Sequence, residues 1–465
     1  MKPLKIGIDF ILILWIVWVS LSACSYEPEI NEQAIELSFS TDTVQFDTLF
    51  AERKSITKRL LVKNTSGKAV SLDQIRLKEQ SDDFNLILNG IAGRQFNNQL
   101  LLGNDSLLIL IEAKIDQTDE NNPFVIRNNL DFVNQGNEQS VILEAWGQNA
   151  NYLKDSVLVC NARWTADKPY VLSNNILIDS ACSLIIDPGT RIYSANDSFI
   201  LVAGTLQAEG NIDNPILFMN DRLDEPFASA PGQWGGIVFL EGSNNNSFKY
   251  VTIKNAIVGL NLNVFDQDGK PDVRMENSFV GNMAFSAVLS LNSDFEAINS
   301  VFYNTASGTV SHLGGGSALY RHCTIANYFN ISRDQPAAFF SDFAIDNNEN
   351  EIIHPIVVDL QNTIVYGRNE EEILFYEEVE NNLTLSFTNS LFRSSQNLLS
   401  QNNSIRNENP LFEEPNNDDF RLTEDSPAIG KALTSGVIID VINTPRDQNP
   451  DIGAYEFTVE NEDGN

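Results

Sequence analysis

The amino-acid sequence predicts an all-β protein, built as an N-terminal β-sandwich followed by a solenoid of stacked β coils. Residues 34–158 alternate apolar and polar positions, with turn signals about every 8–12 residues, which is typical of sandwiches. From about residue 168, short apolar runs are joined by tight turns. Within this second part a short unit recurs at an interval in the low twenties, which indicates stacked coils.

The first residues have the pattern of an export signal. Two lysines precede an apolar run over residues 10–21 that is too short to span a bilayer comfortably. The run ends in LSAC (21–24), which resembles the bacterial lipobox. The resemblance implies that residues 1–23 are a lipoprotein signal peptide and that Cys24 carries enough acyl chains for a lasting membrane anchor. The alternative is an ordinary secretory signal beside an accidental cysteine.

Polar, acidic stretches lie at both ends of the mature chain. Residues 24–33 contain a proline and should form a tether outside any core. They also resemble the export tags on surface lipoproteins of Bacteroidetes, which implies an outer-membrane lipoprotein exposed at the cell surface. A solvated linker would look the same, and a periplasm-facing protein fits the same anchor. Residues 458–465 are predicted to be an acidic tail.

The charge balance excludes one class of partner. The chain has 30 basic and 63 acidic residues, for a net charge of −33. Such a surface repels phosphate backbones and anionic lipid, so we do not expect nucleic acid to bind. Because the acidic residues are spread widely, solubility alone also explains them.

Cysteine and histidine usage gives little sign of a metal site. After Cys24, only Cys160, Cys182 and Cys323 remain, and none forms a C-x-x-C pair. We interpret them as small buried residues, with one possible disulfide between Cys160 and Cys182. The chain has three histidines, and this scarcity argues against a histidine-rich metal site.

The N-terminal part, residues 34–160, supplies short strands separated by polar turns. The order of "TKRLLVKNTSGKAVSLDQIRL" (57–77) resembles immunoglobulin-like domains of extracytoplasmic bacterial proteins. Nothing in this part indicates chemistry. We therefore predict a spacer or an interaction module.

The repeated unit of the second part places Asn, or a similar residue, before a small residue and then one or two apolar residues. Its copies lie at 275–280, 297–302, 320–325, 360–365 and 387–392, with a looser copy at 248–253. The step from Ser278 to Ser300 is 22 residues, and a further 23 reach Cys323. Stacked coils would bury a continuous apolar core, and the asparagines could hydrogen-bond turn backbone along the axis. A second large sandwich is the alternative.

This pattern resembles right-handed, single-stranded parallel β-helix proteins of the pectin-lyase-like type over residues 165–435. The sequences NPLFEEPNNDDFRLTEDSPAIGKA (409–432) and DQNPDIGAYEF (447–457) resemble the final segment of surface β-helix proteins in Bacteroidetes, of the choice-of-anchor-Q type. The stretch GKA (430–432) is a looser version of that family's pattern. The resemblance implies that residues 436–457 cap the last coil, and it identifies architecture rather than activity.

Polysaccharide lyases and hydrolases on such a scaffold need a base beside a cation, or two carboxylates. Four charged residues hold similar repeat positions: Lys249, Glu276, Glu296 and Arg321. They could form a ladder facing a substrate, or a solvated face with cross-strand ion pairs. His312 and His322 flank LGGGSALYR and could pair, although a glycine bend is the simpler account. No complete acid–base set is evident, so enzyme activity is uncertain and a non-catalytic role is favoured.

One stretch has the composition of a calcium loop. In VFDQDGKPD (264–272), Asp266, Asp268 and Asp272 stand on a glycine turn and could bind Ca²⁺ through oxygen ligands. The stretch lacks the third regular acid and the distal glutamate of the twelve-residue loop. A polar turn between coils is the alternative, and no other cofactor is predicted.

APGQWGGIVFLEG (230–242) places a tryptophan among glycines. Because glycine allows tight turns, we interpret this stretch as a coil corner, with Trp234 packed beneath the loop 221–225. The insertion before it is where we expect a ligand, with four candidate residues: Asp221, Asp224, Glu225 and Trp234. The other candidates for stacking on a sugar, Trp146 and Trp164, are interpreted as packing residues.

Together these observations predict a lipid-anchored cell-envelope protein in which the sandwich lifts the β-helix away from the membrane. The β-helix surface would serve in binding or adhesion, with a polysaccharide or cell-surface glycan as the expected ligand. A polysaccharide lyase or glycoside hydrolase on the β-helix face is the first alternative. A structural envelope component is the second.

Overall fold

The structure is a computed structural model that describes residues 28–53, 55–118, 121–265, 268–346, 348–396 and 403–458. The predicted signal peptide, Cys24 and the tail beyond residue 458 lie outside these residues. Contacts divide the chain into a unit that ends at residue 148, apart from 119–122, and a second unit from residue 149. In the described part of the chain there is no α-helix, and accordingly no helix long and apolar enough to cross a membrane.

The N-terminal unit contains ten strands: β1 (Ser38–Phe39), β2 (Thr43–Phe50), β3 (Lys58–Lys63), β4 (Val70–Leu77), β5 (Phe84–Leu88), β6 (Ile91–Gly93), β7 (Gln95–Leu101), β8 (Ser106–Ala113), β9 (Phe124–Asn134) and β10 (Asn137–Gln148). Sheet A has the order β1-β3-β8-β5-β6, and sheet B the order β2-β10-β9-β4-β7. Neighbours are antiparallel except β10 and β2. Alternate residues such as Leu60, Val62 and Phe132 are buried in one core, as the period-2 pattern predicts. The predicted sandwich is therefore confirmed.

The second unit contains the remaining strands: β11 (Asn151–Val157), β12 (Ala162–Trp164), β13 (Tyr170–Ile178), β14 (Ser183–Ile186), β15 (Arg191–Ser194), β16 (Phe199–Val202), β17 (Thr205–Glu209), β18 (Ile216–Asn220), β19 (Gly236–Phe239), β20 (Asn246–Lys249), β21 (Val251–Lys254), β22 (Val258–Leu262), β23 (Val273–Glu276), β24 (Phe279–Met283), β25 (Ser286–Ile298), β26 (Val301–Thr305), β27 (Val310–Arg321), β28 (Thr324–Asn327), β29 (Ala338–Ser341), β30 (Phe343–Ile345), β31 (Glu351–Ile353), β32 (Ile356–Gln361), β33 (Ile364–Gly367), β34 (Ile373–Tyr376), β35 (Leu383–Thr388), β36 (Leu391–Phe392), β37 (Ile405–Arg406), β38 (Phe412–Glu414) and β39 (Asp419–Leu422). Two 3-10 turns, Phe227–Ser229 and Pro415–Asn417, interrupt them.

These strands build a parallel β-helix with three faces. We name the faces in the order in which each coil visits them. Sheet C contains β15, β18, β21, β24, β26, β28, β33 and β36, sheet D contains β16, β19, β22, β29 and β34, and sheet E contains β14, β17, β20, β23, β32 and β35. The long strands β25 and β27 bend from sheet D into sheet E. One apolar core, in which Ile253, Val280 and Phe302 stack from coil to coil, runs through the interior. The predicted solenoid is confirmed.

The turn from sheet E to sheet C, which we name the E–C corner, produces the repeat seen in the sequence. One residue per coil has a left-handed backbone there, with φ from 44° to 54°: Tyr250, Asn277, Asn299, His322, Asn362 and Asn389. Asparagine enters this region more easily than most residues. The small residue that follows bonds the neighbouring coil, since the Ser278 NH donates to Ser300 Oγ (3.2 Å). At one step the asparagines also bond each other, since the Asn299 amide donates to Asn277 Oδ1 (2.7 Å).

The solenoid begins earlier than the sequence predicts. Strand β11 falls within the range 34–160 assigned to the sandwich, yet it pairs in parallel with β13. Alternating polarity identifies a strand without revealing which sheet it joins, so the boundary was placed too late. Cys160 and Cys182 form a disulfide, which confirms the pairing that the sequence allowed. Cys323 is free and buried.

The C-terminal segment, residues 409–457, packs along the outer side of sheet C. Its buried residues Phe420 and Ile452 share a core with Val301, Ala326 and Ile364. The last three residues belong to successive strands, β26, β28 and β33. The stretch predicted to cap the last coil therefore makes contacts along the side of several coils.

Candidate binding site: the corner cleft

A second row of asparagines lies at the turn from sheet C to sheet D, which we name the C–D corner. Five successive coils each contribute one: Asn220, Asn255, Asn282, Asn304 and Asn327. Asn255, Asn282 and Asn304 have φ of 65°, 56° and 44°. The Asn255 amide donates to Asn220 Oδ1, and the Asn282 amide to Asn255 Oδ1, both at 2.7 Å. We name this row the ladder; its first three members, Asn220, Asn255 and Asn282, are hydrogen-bonded from one to the next along the edge of sheet C.

This ladder holds the insertion 221–230, which forms one wall of a cleft. Three rungs donate to its carbonyl oxygens: Asn220 to Arg222 (2.6 Å) and Phe227 (3.1 Å), Asn255 to Ala228 (2.8 Å), and Asn282 to Ser229 (2.7 Å). Within the insertion, the Arg222 guanidinium lies 3.3 Å from the centre of the Phe227 ring. The wall is thus fixed before any ligand arrives.

The C-terminal segment forms a second wall. Asn304 Nδ2 donates to Asp418 Oδ1, and Arg368 Nη2 donates to Asn416 Oδ1, both at 2.5 Å. Asn304 Oδ1 accepts a hydrogen bond from the backbone NH of Tyr328 (2.8 Å). The ladder that fixes the insertion therefore also fixes the second wall.

Between these walls lies a cavity of about 900 Å³, the corner cleft. In addition to ladder amides, two acids, two cations and two tyrosines line it: Glu225, Asp418, Lys254, Arg368, Tyr303 and Tyr328. The sheet C residues among its lining come from six neighbouring strands, β18 to β33, or from the turns directly after them. At the usual strand spacing, the cleft extends roughly 24 Å along the solenoid axis.

Desolvation shifts the pKa values of three side chains that line the cleft. Desolvation raises the pKa of Asp418, while a hydrogen bond from Asn304 and the charge of Lys254 act in the opposite direction. Desolvation also raises the pKa of both Tyr303 and Tyr328. The two phenols therefore stay protonated at neutral pH and can donate and accept hydrogen bonds.

The ring of Tyr303 lies against Gly281 of the preceding coil. A Cβ added at Gly281 would come within 2.4 Å of the ring. The ring also meets Phe420 of the C-terminal segment, with centroids 5.7 Å apart. Glycine is required here because any side chain would push Tyr303 out of the cleft floor.

The structure separates the acids predicted to bind a ligand. Glu225 lines the cleft and accepts a hydrogen bond from Ser229 Oγ (2.7 Å). Asp224 is buried and forms an ion pair with Arg222 (2.8 Å), so it shapes the insertion. Asp221 is not among the residues that line the cleft.

Trp234 is fully buried, and its indole NH donates to Lys254 O (2.9 Å). A buried ring cannot stack on a sugar, so the structure removes Trp234 from the candidate ligand residues and agrees with the packing interpretation. Of the glycines that follow Trp234, Gly236 (φ 122°) is required by close packing, because a Cβ there would lie 1.7 Å from Val258 O.

The other two tryptophans differ from each other. Trp164 is buried and stacks on Tyr170, with centroids 4.5 Å apart, as expected for a packing residue. Trp146 is 42% exposed and pairs across sheet B with Val125, which is also exposed. Trp146 is therefore not a core packing residue as predicted, because its position on β10 faces away from the sandwich core and leaves nearly half of its surface exposed.

The predicted calcium residues have structural roles where they are described. Asp266 lies outside the described residues. Asp268 accepts the backbone NH of Lys270 (2.8 Å), and buried Asp272 accepts that of Asp294 (2.8 Å). In the described ranges, no group of three or more His, Cys, Asp or Glu is arranged to hold a metal ion. The calcium site stays a prediction.

The histidines and the charged repeat positions lie in separate environments. His312 is buried among aromatic rings and bonds Tyr320 Oη (2.8 Å), and desolvation lowers its pKa to about 3. His322 instead contacts Asn362 and Ser435, so the two histidines do not share a site.

On sheet E, the charged residues form cross-strand ion pairs. Lys249 pairs with Glu276 (3.9 Å), and Arg274, which the sequence analysis did not single out, pairs with both Glu276 and Glu296. Glu276 and Glu296 occupy different rows, since Glu296 lies opposite Arg274. The arrangement agrees with a solvated, paired face rather than with a single ladder.

The sequence analysis missed the C–D ladder, although a signal exists. Asn282, Asn304 and Asn327 each lie four positions after the small residue of a repeat copy. No comparable signal identifies Asp418, which meets Asn304 across 114 positions of chain.

Comparison with known proteins supports the fold. A family model described as a pectate-lyase-like β-helix domain matches residues 156–269. No curated protein matches the chain. Among solved structures, the catalytic domain of a GH87 alpha-1,3-glucanase in complex with tetrasaccharides is 11% identical, over 76% of this chain and 79% of that chain (TM-score 0.20). A protein of unknown function from Porphyromonas gingivalis is 14% identical, over 26% of this chain and 59% of that chain (TM-score 0.19). A PapD-like domain of human CEP192 is 10% identical, over 27% and 95% (TM-score 0.17).

Proposed function

We propose that the protein is a lipid-anchored cell-envelope protein that binds a linear glycan in the corner cleft. The shape and chemistry of the cleft carry this proposal: amide, phenol, carboxylate and cationic groups follow one another along roughly 24 Å of floor. A sugar hydroxyl both donates and accepts hydrogen bonds, as tyrosine hydroxyls do, while the carboxylate of Glu225 accepts and the cations of Lys254 and Arg368 donate. A polymer with hydroxyls along its whole length matches such a floor.

The direction of the strands favours a glycan over an extended peptide. A peptide gains most of its affinity at a sheet by adding a strand to a free edge. The strands of sheet C run across the cleft, and each from β18 to β33 is paired with its neighbours. The cleft therefore offers side chains rather than unpaired backbone.

The fixed walls also favour binding. The ladder bonds already hold both walls, so little conformational entropy remains to be lost when a ligand is bound. The volume of about 900 Å³ lies within the range of known ligand sites.

Anchoring at the membrane is the second part of the proposal. It rests on the LSAC sequence at 21–24 and on the acidic tether that follows. The Cys160–Cys182 disulfide supports export, because disulfides persist in oxidising compartments. In this proposal the β-sandwich is an immunoglobulin-like spacer, and the anchor lies in the outer membrane of a Bacteroidetes-type cell, with the β-helix at the cell surface or facing the periplasm.

Binding can be tested with the mature chain, from residue 25, on a glycan array and then by calorimetry with size-graded oligosaccharides of the best ligand. We expect affinity to rise with chain length until the cleft is filled. The variant Lys254→Met with Arg368→Met should bind about tenfold more weakly, whereas Lys249→Met on sheet E serves as the matched control. Binding of no glycan, or equal affinity of variant and control, would refute the proposal.

Anchoring can be tested separately in cells. Cys24→Ala should leave the precursor unprocessed or release the protein from membranes. Unchanged processing and retention would rule out the lipid anchor.

Hydrolysis is a second candidate function, because Glu225 and Asp418 line the same cleft and a hydrolase needs two carboxylates. The raised pKa of Asp418 suits a proton donor. New reducing ends that disappear in Glu225→Gln and Asp418→Asn, with binding retained, would establish this activity. Unsaturated products would indicate a lyase instead, and a folded chain without binding or turnover would leave a structural role.

A further inference from the structure

The C-terminal segment is attached along the full height of several coils. Its apolar residues Phe420, Leu422 and Ile452 are buried against sheet C, in one core with Val301 and Ile364. This core is separate from the core inside the solenoid. The segment therefore adds a second layer to one face of the β-helix.

The asparagines of the E–C corner supply the polar attachments of this segment. Four successive rungs contact it: Asn299 donates to Ile439 O (3.2 Å), His322 Nε2 meets Ser435 Oγ (2.8 Å), Asn362 donates to Leu433 O (2.8 Å), and Asn389 donates to Lys431 O (2.7 Å). Asn362 also accepts the Leu433 NH (2.8 Å). The repeat recognised in the sequence is thus also a row of docking points.

A buried ion pair closes the far part of the segment on this row. Arg446 and Glu456 are paired at 3.1 Å, with side chains 2% and 4% exposed. Arg446 also donates to Asn299 Oδ1 (3.0 Å). The Glu456 carboxylate accepts the backbone NH groups of Asp447 and Asp451, both at 3.0 Å. The pair, which we name the lock, ties the fold of the segment to a coil.

The near part of the same segment supplies the second wall of the corner cleft through Asn416 and Asp418. We propose that residues 409–457 are a strap that positions this wall, and that Arg446 and Glu456 are positioning residues which hold the strap on the coils from outside the cleft. This inference rests on the proposed binding function for its consequence, but the strap itself can be tested without a ligand.

The first test is amide hydrogen exchange on the mature chain with the substitution Glu456→Gln. The substitution removes the carboxylate that is directly paired with buried Arg446, so exchange across residues 412–422 should accelerate at least about tenfold. Strands β18 and β21, which lie beyond the strap, should keep their protection. Unchanged exchange across 412–422 would overturn the role of the lock.

The second test separates positioning from folding. In a Cys323→Ala background, Thr324→Cys with Ala454→Cys should cross-link strap to coil, since Thr324 Oγ1 lies 3.0 Å from the Ala454 NH. The cross-link should restore slow exchange in the Glu456→Gln chain, and reduction should abolish the rescue. Failure of the cross-linked chain to recover would count against the strap.

The third readout is affinity for the oligosaccharide selected on the array. Glu456→Gln should weaken it about tenfold or more, and the cross-link should restore it. Faster exchange with unchanged affinity would overturn positioning and leave glycan binding intact. Absence of glycan binding in every chain would refute the proposed function. The exchange data would still show whether residues 409–457 act as a strap.

Discussion

Two corners of the same solenoid use the same residue for different purposes. At the E–C corner, asparagines in left-handed conformation hold the C-terminal segment, and Asn299 and Asn362 are fully buried beneath it. At the C–D corner, asparagines hold a ten-residue insertion and one wall residue, and the space between stays open as the corner cleft. The comparison shows that a ladder required by coil stacking borders an open cleft only where its coverage is incomplete.

The covered corner should be the more sensitive of the two. Asn299→Ala would remove amide bonds to Asn277 and Ile439, deprive Arg446 of an acceptor, and force alanine into φ 52°. We expect a loss of about 3 kcal/mol in the free energy of unfolding, measured by denaturant titration. Asn299→Gly should recover the part that is due to backbone strain. A loss below that of Asn282→Ala would contradict the comparison.

At the open corner, Gly281 is a tightly packed position. Alanine there would place its Cβ 2.4 Å from the Tyr303 ring, so the ring must move. We expect about 2 kcal/mol of destabilisation and weaker glycan binding, because Tyr303 lies on the cleft floor. Calorimetry checks both effects on one sample. An unchanged affinity would show that Tyr303 does not contribute to the site.

A single rung of the open ladder should matter least for stability. Asn282 is half-buried, and its amide bonds Asn255 and Ser229. Asn282→Ala should cost about 1.5 kcal/mol, since alanine is strained at φ 56° while water can replace part of the lost bonding. Its effect on affinity should exceed its effect on stability, because the insertion loses one of three attachments. A larger effect on stability than on affinity would show that the insertion does not take part in glycan binding.

The strap should respond to pH. Desolvation raises the pKa of Asp451 to about 6 from an ordinary value of 3.8. The folded state then binds more protons than the unfolded state between these values, so this carboxyl alone should lower stability by up to about 3 kcal/mol as pH rises through them. Asp440 contributes in the same direction, since desolvation raises its pKa. His322 contributes in the opposite direction: its pKa is lowered to about 3, so the unfolded imidazole binds a proton in this range and the folded one does not.

Thermal melts across this range, in wild type and Asp451→Asn, check the effect. Glu456 and Arg446 also face Asp451 with opposite charges, so the substitution isolates the contribution of one carboxyl. Because the variant lacks the Asp451 contribution, its stability should fall less, or rise more, than that of wild type as pH rises through this range. If stability depends on pH identically in the two chains, Asp451 does not contribute to the pH dependence.

The sequence predicted the fold because the pattern is local. Copies such as those around Ser278 and Ser300 recur at the length of a coil, and stacking follows from that length. The same locality explains what was missed. Strand β11 alternates like a sandwich strand, so pattern alone assigned it to the wrong unit. Trp146 was interpreted as a packing residue, although its alternation with buried Leu143 and Ala145 places it on the outer face.

The candidate site was predictable only in part. Glu225 was found because it stands in a polar insertion between coils. Asp418 and Arg368 could not be found, because the cleft forms only when the C-terminal segment returns along coils far away in sequence. Trp234 was a candidate by composition, but its burial follows from neighbouring coils that the sequence does not place beside it.

The most direct test of the account is a hydrogen-exchange footprint of the bound oligosaccharide on the mature chain. We expect slower exchange in the insertion around residues 225–230, in the turn at 328–330 and in the strap at 416–418, with no change on sheet E around Arg274. Protection confined to sheet E or to the N-terminal sandwich would show that the glycan binds elsewhere and would contradict the corner cleft as the binding site.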